Sequence, residues 1–127
     1  MELRPAEIEW LTTWRLVDDD VDLRKVRPHV GGPMGGYLKV TNHGALTTGY
    51  RIWYRTEARR NDIALVAHEL VHVGQYRRLG RLRFLLKYLA ETARRRGYSR
   101  EHSLEAPAYA RQQQAREVVR EHGGPHA

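Results

Sequence analysis

With 127 residues, 41% of them hydrophobic and 29% charged, the chain has the make-up of one soluble globular domain, 1–127, with a single core. It contains no cysteine, which excludes disulfides, thiolate metal sites and cysteine nucleophiles. The net charge of +7 leaves an anionic partner open as a function class. No apolar run approaches the length of a membrane span, and the acidic start (Glu2, Glu7, Glu9) is unlike a signal peptide, so a cytoplasmic or non-classically exported protein is expected.

In chain order, residues 5–16 read as a helix, with Ile8, Leu11 and Leu16 on one stripe and Trp10 and Trp14 beside it. The acidic run Asp18, Asp19, Asp20 with Asp22 ends it. That run lacks the glycine and distal glutamate of a calcium loop, so a turn or N-cap is expected there. A short β stretch is expected within 22–30, and the glycine-rich 31–36 then reads as a flexible turn. This segment has no lysine followed by serine or threonine, so it is not read as a phosphate-binding loop. Residues 37–41 suggest another short strand, and Asn42, His43 and Gly44 a turn. The strongest strand pattern is 50–55, where Tyr50, Ile52 and Tyr54 alternate with polar neighbours. At a sheet edge such a strand could pair with an extended peptide, and ordinary packing within the sheet is the equal alternative.

A helix follows, capped by Asn61 or Asp62 and stopped by Gly80. It contains His68, Glu69, Leu70, Val71 and His72, an H-E-x-x-H motif. Histidines at i and i+4 share one helix face, so both imidazoles can reach one metal ion, and the glutamate beside it is placed to deprotonate a water. The helix is apolar nearly all round, as in a buried element. Buried His68, Glu69 and His72 would each cost on the order of 1–3 kcal/mol if unpartnered, which a metal site relieves in one step. The bland alternative is a pair of core histidines bonded to backbone carbonyls.

A second helix is expected over 82–96, with Phe84, Leu85, Tyr88 and Leu89 inward and Gly97 as its stop, and a third over 103–121 before a disordered tail, 122–127. The 77–100 stretch holds nine basic residues against one acid, Glu91, and offers a face for nucleic acid, an anionic surface or an acidic partner. A solvated helix face is the plainer explanation.

Catalytic zinc sites use three protein ligands and leave one position for water. The extended H-E-x-x-H-x-x-G-x-x-H pattern fails, because Gln75 and Arg78 stand at its glycine and last histidine. Every aspartate lies at or before position 62, so none follows the motif. Glu105, at the start of the third helix, is the best remaining ligand, since helix 82–96 gives the chain a return path to the metal. Glu101 and His102 are runners-up, and a surface ion pair accounts better for Glu91. A first-turn carboxylate complementing the helix dipole is the alternative role for Glu105.

His68-Glu69-Leu70-Val71-His72 followed by Val73-Gly74-Gln75, with Ala45-Leu46-Thr47-Thr48-Gly49 upstream and Ser103-Leu104-Glu105-Ala106 downstream, resembles the eCIS core domain. That small metallopeptidase-like domain is associated with extracellular contractile injection systems. The layout is also similar to minigluzincins, small H-E-x-x-H proteins with a glutamate third ligand. The resemblance covers about 45–115 and implies that His68, His72 and Glu105 bind Zn2+ while Glu69 is the general base. One departure is Pro107, which stands where the family commonly has a second acid, so that acid's role is missing or falls to a residue such as Glu101.

The expected architecture is an α+β minimal zincin: a small sheet, the motif helix packed on it, and a C-terminal helical pair delivering Glu105. The expected activity is zinc-dependent hydrolysis of a peptide or protein substrate, Glu69 moving the proton from water to the leaving amine. Tyr109, one turn beyond Glu105, is the first choice to stabilise the oxyanion, ahead of Tyr98 and His102, and Gln75 is expected to support the site by hydrogen bonding. Two other classes stay open. One is a zinc-stabilised binding or cargo-associated module without turnover; the other is a protein whose basic face binds nucleic acid or lipid. The N-terminal helix could also block the cleft, with Trp10 and Trp14 filling it.

Overall fold

The computed structural model describes residues 1–94 and 103–125, so the expectations placed on Arg95, Arg96, Gly97, Tyr98, Arg100, Glu101, His102 and His126 lie outside the described residues. The architecture is α+β. Helix α1 (Pro5–Thr13) is followed by a 3-10 turn (Leu23–Lys25), strand β1 (Arg27–Val30) and helix α2 (Gly32–Val40). Strands β2 (Ala45–Thr48) and β3 (Arg51–Tyr54) lead to short α3 (Glu57–Arg60), and then to α4 (Ile63–Leu79), α5 (Arg81–Arg94) and α6 (Glu105–His122). The three strands form one mixed sheet in the order β1-β3-β2, with β1 parallel and β2 antiparallel to β3.

Helix α4 sits at the centre, packed on α6, β2 and α5. The Asp62 carboxylate accepts hydrogen bonds from the amides of Ala64 and Leu65, satisfying two donors of the first turn. Gly80, at φ +79°, ends the helix in a conformation most side chains avoid. Between these caps, Ile63, Val66, Leu70 and Val73 join Leu11, Val26, Ile52 and Tyr54 in one core.

A buried ion pair fixes the approach to α4. The Arg60 guanidinium donates to both Glu7 carboxylate oxygens at 2.8 and 2.9 Å, and both side chains are buried. Burial pushes the Glu7 carboxyl up, but the hydrogen bonds from Arg60 and the Arg4 amide outweigh it and hold the group below the usual range. This fork ties α1 to α3, immediately ahead of the motif helix. The acidic run at the end of α1 is likewise structural. Asp18 accepts from Arg78 of α4 and Arg111 of α6, Asp20 accepts from Arg78, and Asp22 caps the 3-10 turn.

Several expectations are corrected. Residues 37–41 are not a strand, and 31–36 is not simply a turn, because α2 runs through both. Pro33 near the start of α2 needs no hydrogen-bond partner for its nitrogen, and Leu38 anchors the helix in the interior. Gly35 is buried where α2 meets the end of β3, and a Cβ there would make only ordinary contact, 3.9 Å from the Arg55 carbonyl oxygen. Asn42, at φ +58°, then turns the chain into β2. The 50–55 strand is not an edge. Its core, β3, is the central strand, and the edges are β1 and β2. On α5, Phe84 is buried as expected, but Leu85 and Leu89 are exposed.

The N-terminal helix does not block the cleft. Trp10 donates to the Gly123 carbonyl oxygen at 3.0 Å, and Trp14 stacks on His122, beyond the far end of α6 from Glu105. These two contacts also tie down the first residues of the segment expected to be disordered.

Candidate metal centre

The regular turn of α4 brings His68 and His72 onto one face, 5.2 Å apart between ring centroids. Helix α6 begins with Glu105 and directs its carboxylate at that face. Glu105 Oε1 lies 2.6 Å from His72 Nε2 and 3.3 Å from His68 Nε2. One donor atom from each of the three residues can be chosen such that all lie within 4.8 Å of one another, and all three residues are buried.

The other nitrogen of each ring is already committed. His68 Nδ1 donates to Gln112 Oε1 at 2.7 Å, and His72 Nδ1 donates to Gln75 Oε1 at 2.8 Å. Gln75 then uses its amide nitrogen to donate to the Leu104 carbonyl oxygen at 2.9 Å, linking α4 to the residue before the glutamate. An imidazole whose Nδ1 carries the proton presents a lone pair at Nε2. Two such lone pairs and a carboxylate oxygen converge here, an arrangement that repels itself unless a cation lies between them. A metal ion fits that requirement, and the glutamine contacts are the orienting partners that ligand histidines use.

Without a metal, a proton takes the position. Burial disfavours charged His72, but the Glu105 hydrogen bond and the Glu69 charge outweigh this and raise its pKa to about 9. Burial likewise pushes Glu105 up, while hydrogen bonds from His68 and His72 more than reverse the effect and leave it at about 2.

Glu69 stands beside the three. Its Oε2 is 3.8 Å from His68 Nε2, and Thr47 Oγ1 of β2 lies 3.4 Å from both its Oε1 and its backbone carbonyl oxygen. Burial raises the Glu69 pKa, against the lowering effect of the two histidines, which is the direction a general base needs. Tyr109, one turn along α6 from Glu105, sets its ring edge against His68 at 4.7 Å. Tyr88 of α5 donates to Glu105 Oε2 at 3.4 Å.

Thus His68, Glu69, His72, Glu105, Gln75 and Tyr109 are all brought together, and all but Gln75 line one cleft. Sequence reasoning missed Gln112, Thr47 and Tyr88. Gln112 was detectable, since Glu105, Tyr109 and Gln112 fall at i, i+4 and i+7 on one helix face. Thr47 carried no signal beyond its place in a short strand. Of the basic residues around α5, Arg77, Arg81, Arg83, Lys87 and Arg94 are exposed, while Arg78 pairs with Asp18 and Asp20 and Glu91 accepts from Arg94 at 2.9 Å.

The matched family model covers the strands, the motif helix and the loops between them. Residues 18–80 match the eCIS core domain. The matched segment is just under half of the chain; it starts earlier than the resemblance read from the motifs and stops at the Gly80 cap. It therefore contains His68, Glu69, His72, Gln75 and Thr47, whereas Glu105, Tyr109 and Gln112 come from α6 beyond it. No curated protein and no solved structure matches the chain. Among the described residues, no helix is long and apolar enough to cross a membrane.

Proposed function

We propose that the chain is a zinc-dependent peptide hydrolase of the H-E-x-x-H type with Glu105 as third ligand. The observation that carries this reading is the convergence of His68 Nε2, His72 Nε2 and Glu105 Oε1, with both histidine Nδ1 atoms held by glutamine oxygens. Two nitrogens and one carboxylate oxygen form a donor set that suits zinc. A zinc ion bound there would supply a Lewis acid that polarises the scissile carbonyl and acidifies the attacking water.

The chain's own groups carry the proton and orient the substrate. Glu69 takes the proton of the attacking water and passes it to the leaving amine, as its position beside the ligand face and its raised pKa support. Tyr109, whose ring stands perpendicular to that of His68 in the same cleft, donates its phenol proton as a hydrogen bond to the developing oxyanion. Strand β2 lies at the sheet edge and lines the cleft through Ala45, Leu46 and Thr47, so an extended substrate has a strand to pair with.

The test is metal content and affinity of the wild type beside His68→Ala and Glu105→Ala, followed by activity of Glu69→Gln. One equivalent of zinc is expected, weakened in both ligand variants, with Glu69→Gln retaining zinc and losing turnover. Full retention in Glu105→Ala would move the third ligand elsewhere, and turnover by Glu69→Gln would refute the mechanism. Pro107, standing where the resemblance leads one to expect an acid, favours a second reading: a zinc-stabilised binding module without turnover. Zinc-loaded, folded protein that cleaves no peptide in a diverse mixture would select it.

A further inference from the structure

Large exposed apolar side chains gather at the mouth of the cleft. Tyr37 and Leu46 are 54% and 37% exposed on one side, and Leu85 and Leu89 are 50% and 55% exposed on the other. All four line the same cleft of about 460 Å³, whose floor is His68, Glu69, His72 and Glu105. The fold gains nothing from leaving them in water, and a grouped apolar surface of this kind marks a binding face. Its position over the site, beside edge strand β2, points to the occupant: a peptide chain lying along β2, with a side chain facing α5. The charges at the mouth narrow it further. Among the described residues lining the cleft, the only carboxylates are Glu69 and Glu105, both engaged at the floor, and Arg59 adds a positive charge to the wall. Among these described residues a lysine or arginine side chain finds no carboxylate that is not already engaged at the floor.

We propose that the cleft selects peptides carrying a bulky apolar side chain next to the scissile bond, received between Leu46 of β2 and Leu85 and Leu89 of α5, and that it disfavours basic side chains at that position. This rests on the peptide-hydrolase reading.

Two experiments on the zinc-loaded full chain keep the two ideas separable. In the first, cut sites are profiled in a mixture of peptides. Leucine, phenylalanine and methionine are expected at one position flanking the cut at least 10-fold over glycine, with lysine and arginine depleted. Leu85→Asp combined with Leu89→Asp should abolish the preference while zinc content stays the same, and both positions are exposed enough for the variant to fold. In the second, metal-chelating peptide hydroxamates differing only in one side chain (glycine, leucine, phenylalanine or lysine) are titrated calorimetrically. The leucine and phenylalanine forms should bind at least 10-fold tighter than the other two, and the double variant should lose the contrast. Cleavage without apolar enrichment, or equal hydroxamate affinities, overturns the inference and leaves the hydrolase reading standing. Absent cleavage with the hydroxamate contrast intact does the reverse. Self-association of the wild type that vanishes in the double variant would assign the leucines to a dimer contact and overturn the inference.

Discussion

Gln75→Leu is the sharpest probe of the metal centre, because one side chain orients a ligand ring and ties it to the next helix. The change keeps roughly the same volume and removes two hydrogen bonds, one from His72 Nδ1 at 2.8 Å and one to the Leu104 carbonyl oxygen at 2.9 Å. Loss of the partner that orients a ligand histidine typically weakens metal binding 10- to 100-fold, or about 1.4–2.7 kcal/mol. Both abandoned groups are buried, and unsatisfied buried groups cost about 1–3 kcal/mol each, so the metal-free protein should lose about 2–4 kcal/mol after the added apolar contact is counted. Zinc affinity is read by competition with a chromophoric chelator, and stability by urea unfolding with and without zinc. Gln112→Leu is the control: it strips the same support from His68, but Gln112 is only half-buried and water can replace it. Its effect should fall near the 10-fold end of the range. An unchanged zinc affinity in Gln75→Leu would refute the orienting role, and a larger loss in Gln112→Leu would refute burial as the governing factor.

Tyr109→Phe should lower kcat at least 10-fold with zinc affinity unchanged, as loss of one oxyanion donor does; unaltered kcat would remove Tyr109 from the chemistry. Arg60→Met takes the guanidinium fork from buried Glu7, leaving it the Arg4 contacts, and should cost about 3–5 kcal/mol in urea unfolding, much of it restored by adding Glu7→Leu. If the double variant is no more stable than the single one, the cost lies in packing and not in the loss of the Arg60 fork to the Glu7 charge. The depressed Glu7 pKa adds stability that is present above its ordinary value of 4.5 and lost as pH falls through the lower folded value, so Glu7→Gln should flatten that acid limb. In the metal-free protein the raised His72 pKa stabilises fully below 6.5, and that contribution is lost as pH rises toward 9. Zinc affinity should rise over the same interval, because His72 must release its proton to bind metal; a flat profile would show that no proton is displaced.

The motif helix was legible in the sequence because every level agreed: an Asp62 cap, a Gly80 stop and apolar residues all round. Helix α2 was not, because Tyr37-Leu38-Lys39-Val40-Thr41 alternates like a strand and follows a glycine run. What makes it helical is tertiary: Leu38 is held in the interior and the helix packs against β3. The strand pattern of 50–55 identifies a strand but leaves its place in the sheet open between edge and interior, and the structure puts it in the interior. Alternation reports which face of a strand is buried and not whether it has neighbours on both sides; β3 is central, and the edge strand beside the site is the less patterned Ala45–Thr48. On α5 the stripe of leucines invited burial, yet the helix presents two apolar faces, and Phe84 and Tyr88 already occupy the one turned toward the site. Leu85 and Leu89 are thereby left at the cleft mouth. No pattern within a single helix distinguishes a face meant for the core from one meant for a ligand.

Glu105 was reached by elimination, and its geometry separates the two roles that the sequence left open. A carboxylate in the first turn of a helix is stabilised by the free amides there whether or not it binds anything else. One serving only that end would turn back to those amides. Glu105 does not: Oε1 reaches His72 and His68 across the helix interface, and Oε2 accepts from Tyr88. Leu104, the N-cap residue, offers no side-chain hydrogen bond, and its carbonyl oxygen accepts from Gln75 of α4. The start of α6 is therefore organised around the histidine face of α4 and not around its own amides. Helix α5 lies between the two in sequence and contributes Tyr88 at the point of contact. A metal held at that junction would add a third link between two helices already packed together and joined by the Gln75–Leu104 and His68–Gln112 hydrogen bonds, so its loss should loosen the start of α6 before it loosens α4.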